Sequence, residues 1–149
     1  MNSPQRTQRH TEENLKNLSG MIVDAAMKVH SALGPGLLES AYETCLKHEL
    51  LKRNLEVKSQ VELPIVYEGI RLDAGYRIDL LVADSVVVEL KSVEKIAPIH
   101  EAQLLSYLKL SDLQVGLLIN FNVMHLKDGI KRMVNRYQPL RSSASSAVK

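Results

Sequence analysis

Three charged side chains interrupt two apolar segments in the middle of the chain, and a polar pair follows them on a predicted helix. Asp79 lies in GYRIDLLV, Glu89 and Lys91 lie in VVVELKSV, and Gln103 and Tyr107 lie in EAQLLSYLK. Neighbouring carboxylates can bind a divalent cation, and an amine beside them can hold or activate a water molecule. The combination therefore indicates a metal-dependent site.

The turn Ala83-Asp84-Ser85 predicts how the two charged strands pair. A three-residue loop places Val82 opposite Val86, and continued pairing places Asp79 opposite Glu89. A slip of one residue would mix apolar and charged faces, so the pattern favours this register. This register places seven apolar side chains on one face of the sheet: Tyr76, Ile78, Leu80, Val82, Val86, Val88 and Leu90. A pairing of Asp79 with Leu90 would contradict it.

Two like charges directly opposite each other destabilise a sheet. At ~5 Å and an effective dielectric constant near ~20, their repulsion costs about 3 kcal/mol. A cation is therefore needed, and Lys91 or a divalent metal ion could supply it. The alternative is a solvated ladder made of these charges and Arg77. Leu81 and Val87 share the face with the charges, which favours a covered site but leaves both interpretations open.

Gln103 and Tyr107 are four residues apart, so they share one face of the predicted helix. A helix that follows a central strand can turn this face toward the carboxyl end of that strand, where ligands bind in α/β sheets. The alternative is that Tyr107 belongs to the core and Gln103 is solvated.

The spacing of apolar residues predicts the elements that position these side chains. The predicted helices span about residues 12–33, with Thr11 as N-cap and a stop at Gly34-Pro35-Gly36, about 37–53, and 98–111. The predicted strands span 55–67, with a possible break near Ser59, 70–82, 86–92 and 114–121. A short strand, a turn at Asp128-Gly129 and a final strand are predicted within 123–134.

The strands at 86–92 and 114–121 are apolar on both faces, so both are central. A helix joins them, which makes them parallel neighbours. Pro64 favours an edge position for the first strand. We therefore expect an α/β fold, a mixed β-sheet core flanked by helices. The expected organisation is a flexible arm at 1–10, a single domain at 11–137 and a disordered tail at 138–149.

Composition sets wide limits on function. A chain of 149 residues with 45% apolar residues can form one domain with a sizeable core. A net charge of +2 permits nucleic-acid binding without arguing for it. The single cysteine, Cys45, excludes an internal disulfide and fits a reducing compartment. No signal peptide or membrane span is visible, so a cytoplasmic protein is expected.

Taken together, Asp79, the run Glu89-Leu90-Lys91 and the pair Gln103 and Tyr107 resemble the PD-(D/E)xK nuclease superfamily. The helix pair resembles its RecB-like and Cas4-like branch. The heptapeptide Gly36-Leu37-Leu38-Glu39-Ser40-Ala41-Tyr42 matches the GxxExxY signature of one small family within it. The similarity extends through VHSALGPGLLESAYE, HEAQLLSYLKL and VGLLINF, and covers about residues 18–137.

The resemblance implies a restriction-endonuclease-like fold and hydrolysis of phosphodiester bonds in nucleic acid, DNA rather than RNA. It implies Mg²⁺ or Mn²⁺ held by Asp79, Glu89 and Glu39, with the Leu90 carbonyl as a further oxygen ligand. Lys91 would orient the attacking water. The resemblance also implies a catalytic helix pair, Gln103 and Tyr107. Apart from the resemblance, we expect nucleic-acid contacts at Arg77, His100 and His30.

Alternatives remain for two of these features. His30 lies in the last turn of the first helix, where the helix dipole alone favours a histidine. The whole domain could also bind nucleic acid without turnover, or act as an interaction protein that dimerises through its apolar first helix. In that last case the acidic residues would be structural.

Overall fold

The computed structural model describes residues 11–136, so the predicted arm and tail lie outside the described residues. Residues 11–136 form three α-helices: α1 at Glu12–Leu33, α2 at Glu39–Lys52 and α3 at Pro98–Ser111. The Thr11 side chain caps α1 by accepting a hydrogen bond from the Asn14 amide at 3.1 Å, as predicted. Gly34 ends α1 with φ of 70°, a conformation that glycine adopts without strain.

The described part of the chain contains seven strands: β1 at Val57–Glu62, β2 at Ile65–Tyr67, β3 at Ile70–Leu72, β4 at Arg77–Val82, β5 at Val86–Lys91, β6 at Val115–Asn120 and β7 at Ile130–Val134. Five of them form one mixed sheet in the order β1-β4-β5-β6-β7. Only β5 and β6 pair in parallel, and α3 connects them. The α/β fold with a mixed central sheet is confirmed, and it is consistent with a restriction-endonuclease-like fold.

The sheet separates two apolar layers. On one face α1 and α2 cover a core that includes Leu80, Val88 and Leu117. On the other face α3 covers a smaller core that includes Val87 and Leu118. Residues that alternate along β5 and β6 therefore point into different cores, which explains why both strands are apolar throughout.

The segment 55–82 contains four strands rather than the two predicted. Strand β1 ends just before Leu63 and Pro64, and not near Ser59. The Leu63 amide still donates to the Tyr76 carbonyl at 2.9 Å, but Pro64 has no N–H to donate, so the pairing does not continue. The two short strands β2 and β3 pair only with each other, as a separate hairpin. Gly75, with φ of 87°, then leads the chain into β4.

The predicted short strand after residue 122 is wrong. A 3-10 helix at Leu126–Gly129 precedes β7 instead. Tertiary contacts determine this local structure: Leu126 is buried in the core under α1 and α2, and the Val123 carbonyl lies 2.8 Å from His30 Nε2. Neither contact is visible in the local sequence pattern.

Within residues 11–136, no helix combines the length and the apolar composition that crossing a bilayer requires.

Candidate metal centre

The main-chain ladder between β4 and β5 stops where the two acidic residues lie. Pairing runs through Val82↔Val86 and Leu80↔Val88, which confirms the predicted register as far as Leu80, but the main-chain ladder does not extend to the predicted pair Asp79 and Glu89. One residue further, side chains replace the ladder: the Asp79 amide donates to Glu89 Oε1 at 3.1 Å, and the Leu90 amide donates to Asp79 Oδ2 at 2.9 Å. Each carboxylate therefore accepts a hydrogen bond from the opposite strand, and the two acids are held together in the gap.

The end of the ladder also changes which core the start of β4 faces. Alternation predicts Ile78 on the same side as Leu80, but Ile78 packs in the core under α3. Tyr76 likewise contacts Tyr107 of α3, with ring centroids 6.3 Å apart. The predicted face is wrong for both residues, because β4 is no longer paired with β5 beyond Leu80 and can turn.

Burial and mutual repulsion make it costly to ionise both acids. Glu89 is 5% exposed, and desolvation followed by the Asp79 charge raises its pKa to about 8. Desolvation also raises the pKa of Asp79, opposed by the hydrogen bond from the Leu90 amide. With such a pKa, Glu89 carries a proton at neutral pH unless a cation replaces it. Two neighbouring carboxylates are the type of oxygen donor that binds a divalent cation in proteins.

The segment that contains the GxxExxY motif is a tight loop that presents Glu39. Gly36 has φ of 100°, and the buried Tyr42 stacks on Phe121 with ring centroids 4.4 Å apart. The Tyr42 hydroxyl donates to the Gly34 carbonyl at 2.5 Å and accepts from the Leu37 amide at 3.1 Å. The glycine and the tyrosine therefore shape the loop, while Glu39 is left exposed at the start of α2.

A hydrogen bond ties this loop to the end of β5. Ser92 Oγ, one residue beyond Lys91, donates to the Leu37 carbonyl at 2.6 Å. The charge of Glu39 raises the pKa of both Asp79 and Glu89, so the three acids share one electrostatic environment. The loop and the strand thus bring Glu39 within electrostatic reach of Asp79 and Glu89.

Two residues that the sequence analysis missed also belong to this site. Gln60, on the edge strand β1, donates through Nε2 to both carboxylate oxygens of Glu43, at 3.0 and 3.1 Å, and to Asp79 Oδ1 at 3.4 Å. The Glu43 charge contributes to the raised pKa of Asp79. Glu43 lies one helical turn after Glu39, so the i, i+4 spacing of two acids was a usable signal. Nothing in the β1 sequence distinguishes Gln60.

Lys91 is half-buried at the end of β5, and its positive charge lowers the pKa of Glu89. In the β5–β6 ladder, Lys91 pairs with Asn120. The buried Asn120 side chain accepts a hydrogen bond from the Val93 amide and donates one to the Val93 carbonyl. The loop that follows Lys91 is therefore fixed from the neighbouring strand. The Lys91 ammonium lies within electrostatic reach of Glu89.

Gln103 and Tyr107 form a hydrogen-bonded pair on α3, with Gln103 Nε2 donating to the Tyr107 hydroxyl at 3.2 Å. Tyr107 is buried, and burial raises its pKa, with further contributions from the charges of Glu89 and Asp79. The alternative drawn from sequence is thus partly realised, because Tyr107 belongs to the core under α3. Its hydroxyl is nevertheless within electrostatic reach of the two acids.

The three candidate nucleic-acid contacts lie in different places. Arg77 is exposed two residues before Asp79 and lies 3.5 Å from a Glu62 carboxylate oxygen. His100 accepts a hydrogen bond from the Ala97 amide through Nδ1 at the start of α3. His30 is buried, with its Nε2 on the Val123 carbonyl. The structure therefore gives His30 a role in holding the loop after β6 and does not bring it to the acids.

Asp79 and Glu89 are the donors best placed for a metal ion. In the part of the chain from 11 to 136, no three His, Cys, Asp or Glu side chains form a group that could hold a metal ion by themselves. Glu39 therefore acts on the pair at longer range. Leu90 lies beside the pair, because its amide donates a hydrogen bond to Asp79 Oδ2. A two-carboxylate site suits Mg²⁺, which retains several waters and is commonly bound through one or two carboxylates.

Comparison with known proteins finds a family match that covers most of the chain. Residues 16–133 match a family model described as the PD-(D/E)XK nuclease superfamily. That range includes both acids, Lys91, Glu39 and the α3 pair. No curated protein and no solved structure matches the chain significantly.

Proposed function

The chain belongs to the PD-(D/E)XK nuclease superfamily, and on this premise we propose that it is a metal-dependent nuclease that hydrolyses phosphodiester bonds, with DNA as the expected substrate. The observation that carries the proposal is the half-buried Asp79 and the buried Glu89, which accept hydrogen bonds across the gap where the β4–β5 ladder ends. Uncharged acceptors such as Asn and Gln would serve a purely structural sheet better, because two like charges opposite each other destabilise it.

Mg²⁺ or Mn²⁺ fits the donors that the site offers. Asp79 and Glu89 would hold the ion, with the Leu90 carbonyl and Glu39 as further oxygen donors, the latter through water. When bound, such an ion neutralises the two acids, lowers the pKa of a water molecule and polarises a phosphoryl oxygen. The proton that the raised pKa of Glu89 indicates at neutral pH would leave when the cation binds.

The side chains around the acids would then orient the reacting groups. Lys91 would hold the attacking water and stabilise the charge that develops on the phosphoryl oxygens. Gln103 and Tyr107, which are already joined by a hydrogen bond, would position the phosphate or the lysine. Arg77 and His100 would contact neighbouring phosphates.

The GxxExxY motif and the α3 pair support a finer placement of the chain. We infer that it belongs to the GxxExxY family within the RecB-like and Cas4-like branch. The support is that each motif residue has a distinct role, since Gly36 and Tyr42 shape the loop while the charge of Glu39 acts on the acids.

Cleavage assays with a lysine variant test the proposal. Purified protein is incubated with single- and double-stranded DNA and RNA oligonucleotides in Mg²⁺, in Mn²⁺ or in EDTA. We expect metal-dependent cleavage that Lys91→Ala lowers about 100-fold or more, the range typical of losing a catalytic proton-transfer or orienting group. Lys95→Ala is the matched control, because Lys95 is an exposed lysine in the loop that follows Lys91. This variant should cut at the wild-type rate.

Two outcomes would contradict the proposal. One is no cleavage of any substrate in either metal. The other is equal cleavage by Lys91→Ala and wild type, which would point to a contaminating nuclease. Binding without turnover, unaffected by Asp79→Asn, would instead support a nucleic-acid-binding module on the same fold.

A further inference from the structure

A second feature adjoins the acidic pair. An open cavity of about 600 Å³ lies beside the Gln103–Tyr107 pair, between α3 and the segment that leads from β2 to β4. Its walls are mainly apolar and include Ile65, Tyr76, Ile99 and Leu110. Among them lie a few polar groups, from His100, Gln103, Ser106 and Lys109. Apolar walls with a few polar groups are typical of ligand sites.

The cavity adjoins the proposed metal centre. Tyr107 lines it, and the charges of Glu89 and Asp79 both act on the Tyr107 hydroxyl. Tyr76 lines it as well, three residues before Asp79 on the same strand segment. A ligand in the cavity would therefore lie within about one or two nucleotides of the reacting phosphate, since a strand rises only about 3.3 Å per residue.

The apolar side chains of this cavity are unusually exposed. Tyr76 is 42% exposed and Ile99 is 69% exposed. The Tyr76 ring meets Tyr107 at an interplanar angle of 63°, so this contact leaves much of Tyr76 open to the cavity. Lys109 in the wall and the exposed Arg77 nearby supply positive charge that complements phosphate.

We propose that this cavity receives one unpaired base of the nucleic-acid strand that is cut at Asp79 and Glu89. The inference rests on the proposed nuclease function and specifies its substrate as a single strand, or a duplex with an extruded base. A base has flat faces that stack on Tyr76 and an edge that can hydrogen-bond with Gln103 or Ser106. A base that remains paired inside a duplex cannot enter such a pocket.

The first test removes one base at a time from the substrate. A series of single-stranded oligonucleotides carries a single abasic position that is moved across the cleavage site. Wild type should show one position, close to the cut, where loss of the base lowers the rate about 10-fold, since stacking of a base on an aromatic side chain typically contributes this much or more. Tyr76→Ala should cut the intact strand about 10-fold more slowly and should no longer respond to that abasic position.

Matched variants separate stacking from other effects. Tyr76→Phe keeps the ring and should retain the response to the abasic position that Tyr76→Ala loses. Tyr67→Ala removes another exposed tyrosine, in β2 and outside the cavity wall, and should also behave as wild type. Ile99→Glu places a charge in the apolar wall at an exposed position, where the fold tolerates it. It should reproduce the loss seen with Tyr76→Ala, so the test does not depend on one variant being folded.

A binding measurement keeps this inference separate from catalysis. A strand with 2-aminopurine at the sensitive position, or at each position in turn if nothing is cut, is titrated with protein in EDTA. Its fluorescence should change with wild type and not with Ile99→Glu. If intact strands are not cut but this change occurs, the nuclease proposal fails and the base-binding inference stands.

Three results would overturn the inference. The first is cleavage that no abasic position affects. The second is equal behaviour of wild type, Tyr76→Ala and Ile99→Glu in both assays. The third is a wild-type dimer in sedimentation that Ile99→Glu converts to a monomer, which would show that a second copy of the chain covers the cavity.

Discussion

Replacing Glu89 by glutamine should make the protein more stable at alkaline pH while removing its response to metal. Glu89 is buried, and its carboxylate oxygen Oε1 accepts a hydrogen bond from the Asp79 amide. A glutamine keeps an acceptor at that place but carries no charge at any pH. The variant therefore imitates the protonated acid, which is the form that the folded protein favours.

The magnitude follows from the pKa of about 8 in the folded protein, against 4.5 for an ordinary glutamate. Between these two values the folded state binds more protons than the unfolded state, so the free energy of unfolding falls as pH rises. Each pKa unit corresponds to about 1.4 kcal/mol, which sets an upper limit of about 5 kcal/mol lost above pH 8. Asp79, whose pKa is also raised, adds to the same trend.

Urea denaturation from pH 5 to pH 9, in EDTA, measures this effect. Glu89→Gln and wild type should be similarly stable near pH 5, and the variant should lead by roughly 2 to 5 kcal/mol at pH 9. In Mg²⁺ or Mn²⁺ at about 100 times the dissociation constant, wild type should gain about 2.7 kcal/mol and the variant almost nothing. Glu94→Gln, at an exposed acid, should follow wild type throughout.

A Glu89→Gln variant that is less stable than wild type at pH 9 would refute this prediction, as would a difference that does not grow between pH 5 and pH 9. Either result would mean that Glu89 is ionised and well stabilised in the metal-free protein, and that the raised pKa does not describe the site.

Further substitutions test the scaffold, and urea denaturation measures each of them. Gly20→Ala should stabilise the protein by about 0.5 to 1 kcal/mol, because Gly20 lies inside α1 with open space around it. Gly129→Ala should destabilise it by several times as much, because a Cβ there would collide with the Asn120 carbonyl; similar effects of the two alanines would contradict the packing. Tyr42→Phe removes two hydrogen bonds to the main chain of the loop before α2, so we expect a loss of about 1 to 3 kcal/mol and, with metal and nucleic acid, slower cleavage. Unchanged stability would show that the stacking of the ring on its neighbour, and not the hydroxyl, fixes that loop.

The sequence predicted the elements whose pattern repeats over several residues. The Val82↔Val86 register followed from alternation, and the parallel pairing of β5 with β6 followed from two strands that are apolar on both faces. Thr11 as the cap of α1 followed from local hydrogen-bonding chemistry. In each case the information lies within a short stretch of chain, or in the order of neighbouring stretches.

What the sequence could not predict depends on contacts between distant residues. Ile78 leaves its expected face because side-chain carboxylates, and not main-chain groups, bridge the strands next to it. The 3-10 helix before β7 depends on a contact between His30 and Val123, 93 positions apart. Gln60 joins the site only because the edge strand β1 pairs with β4 and brings its side chain to Glu43 and Asp79.

The gap in the β4–β5 ladder predicts which site residues would be retained in related proteins that have lost catalysis. Asp79 and Glu89 hold the two strands together where the main chain does not, so a descendant released from selection for cleavage would still need a hydrogen-bond acceptor at each of these positions. Lys91 makes no comparable bridge between β4 and β5 among the described residues, so substitutions at this position would be tolerated first. An inactive paralogue would therefore be recognised by the residue at position 91, while an intact acidic pair would be no proof of an enzyme.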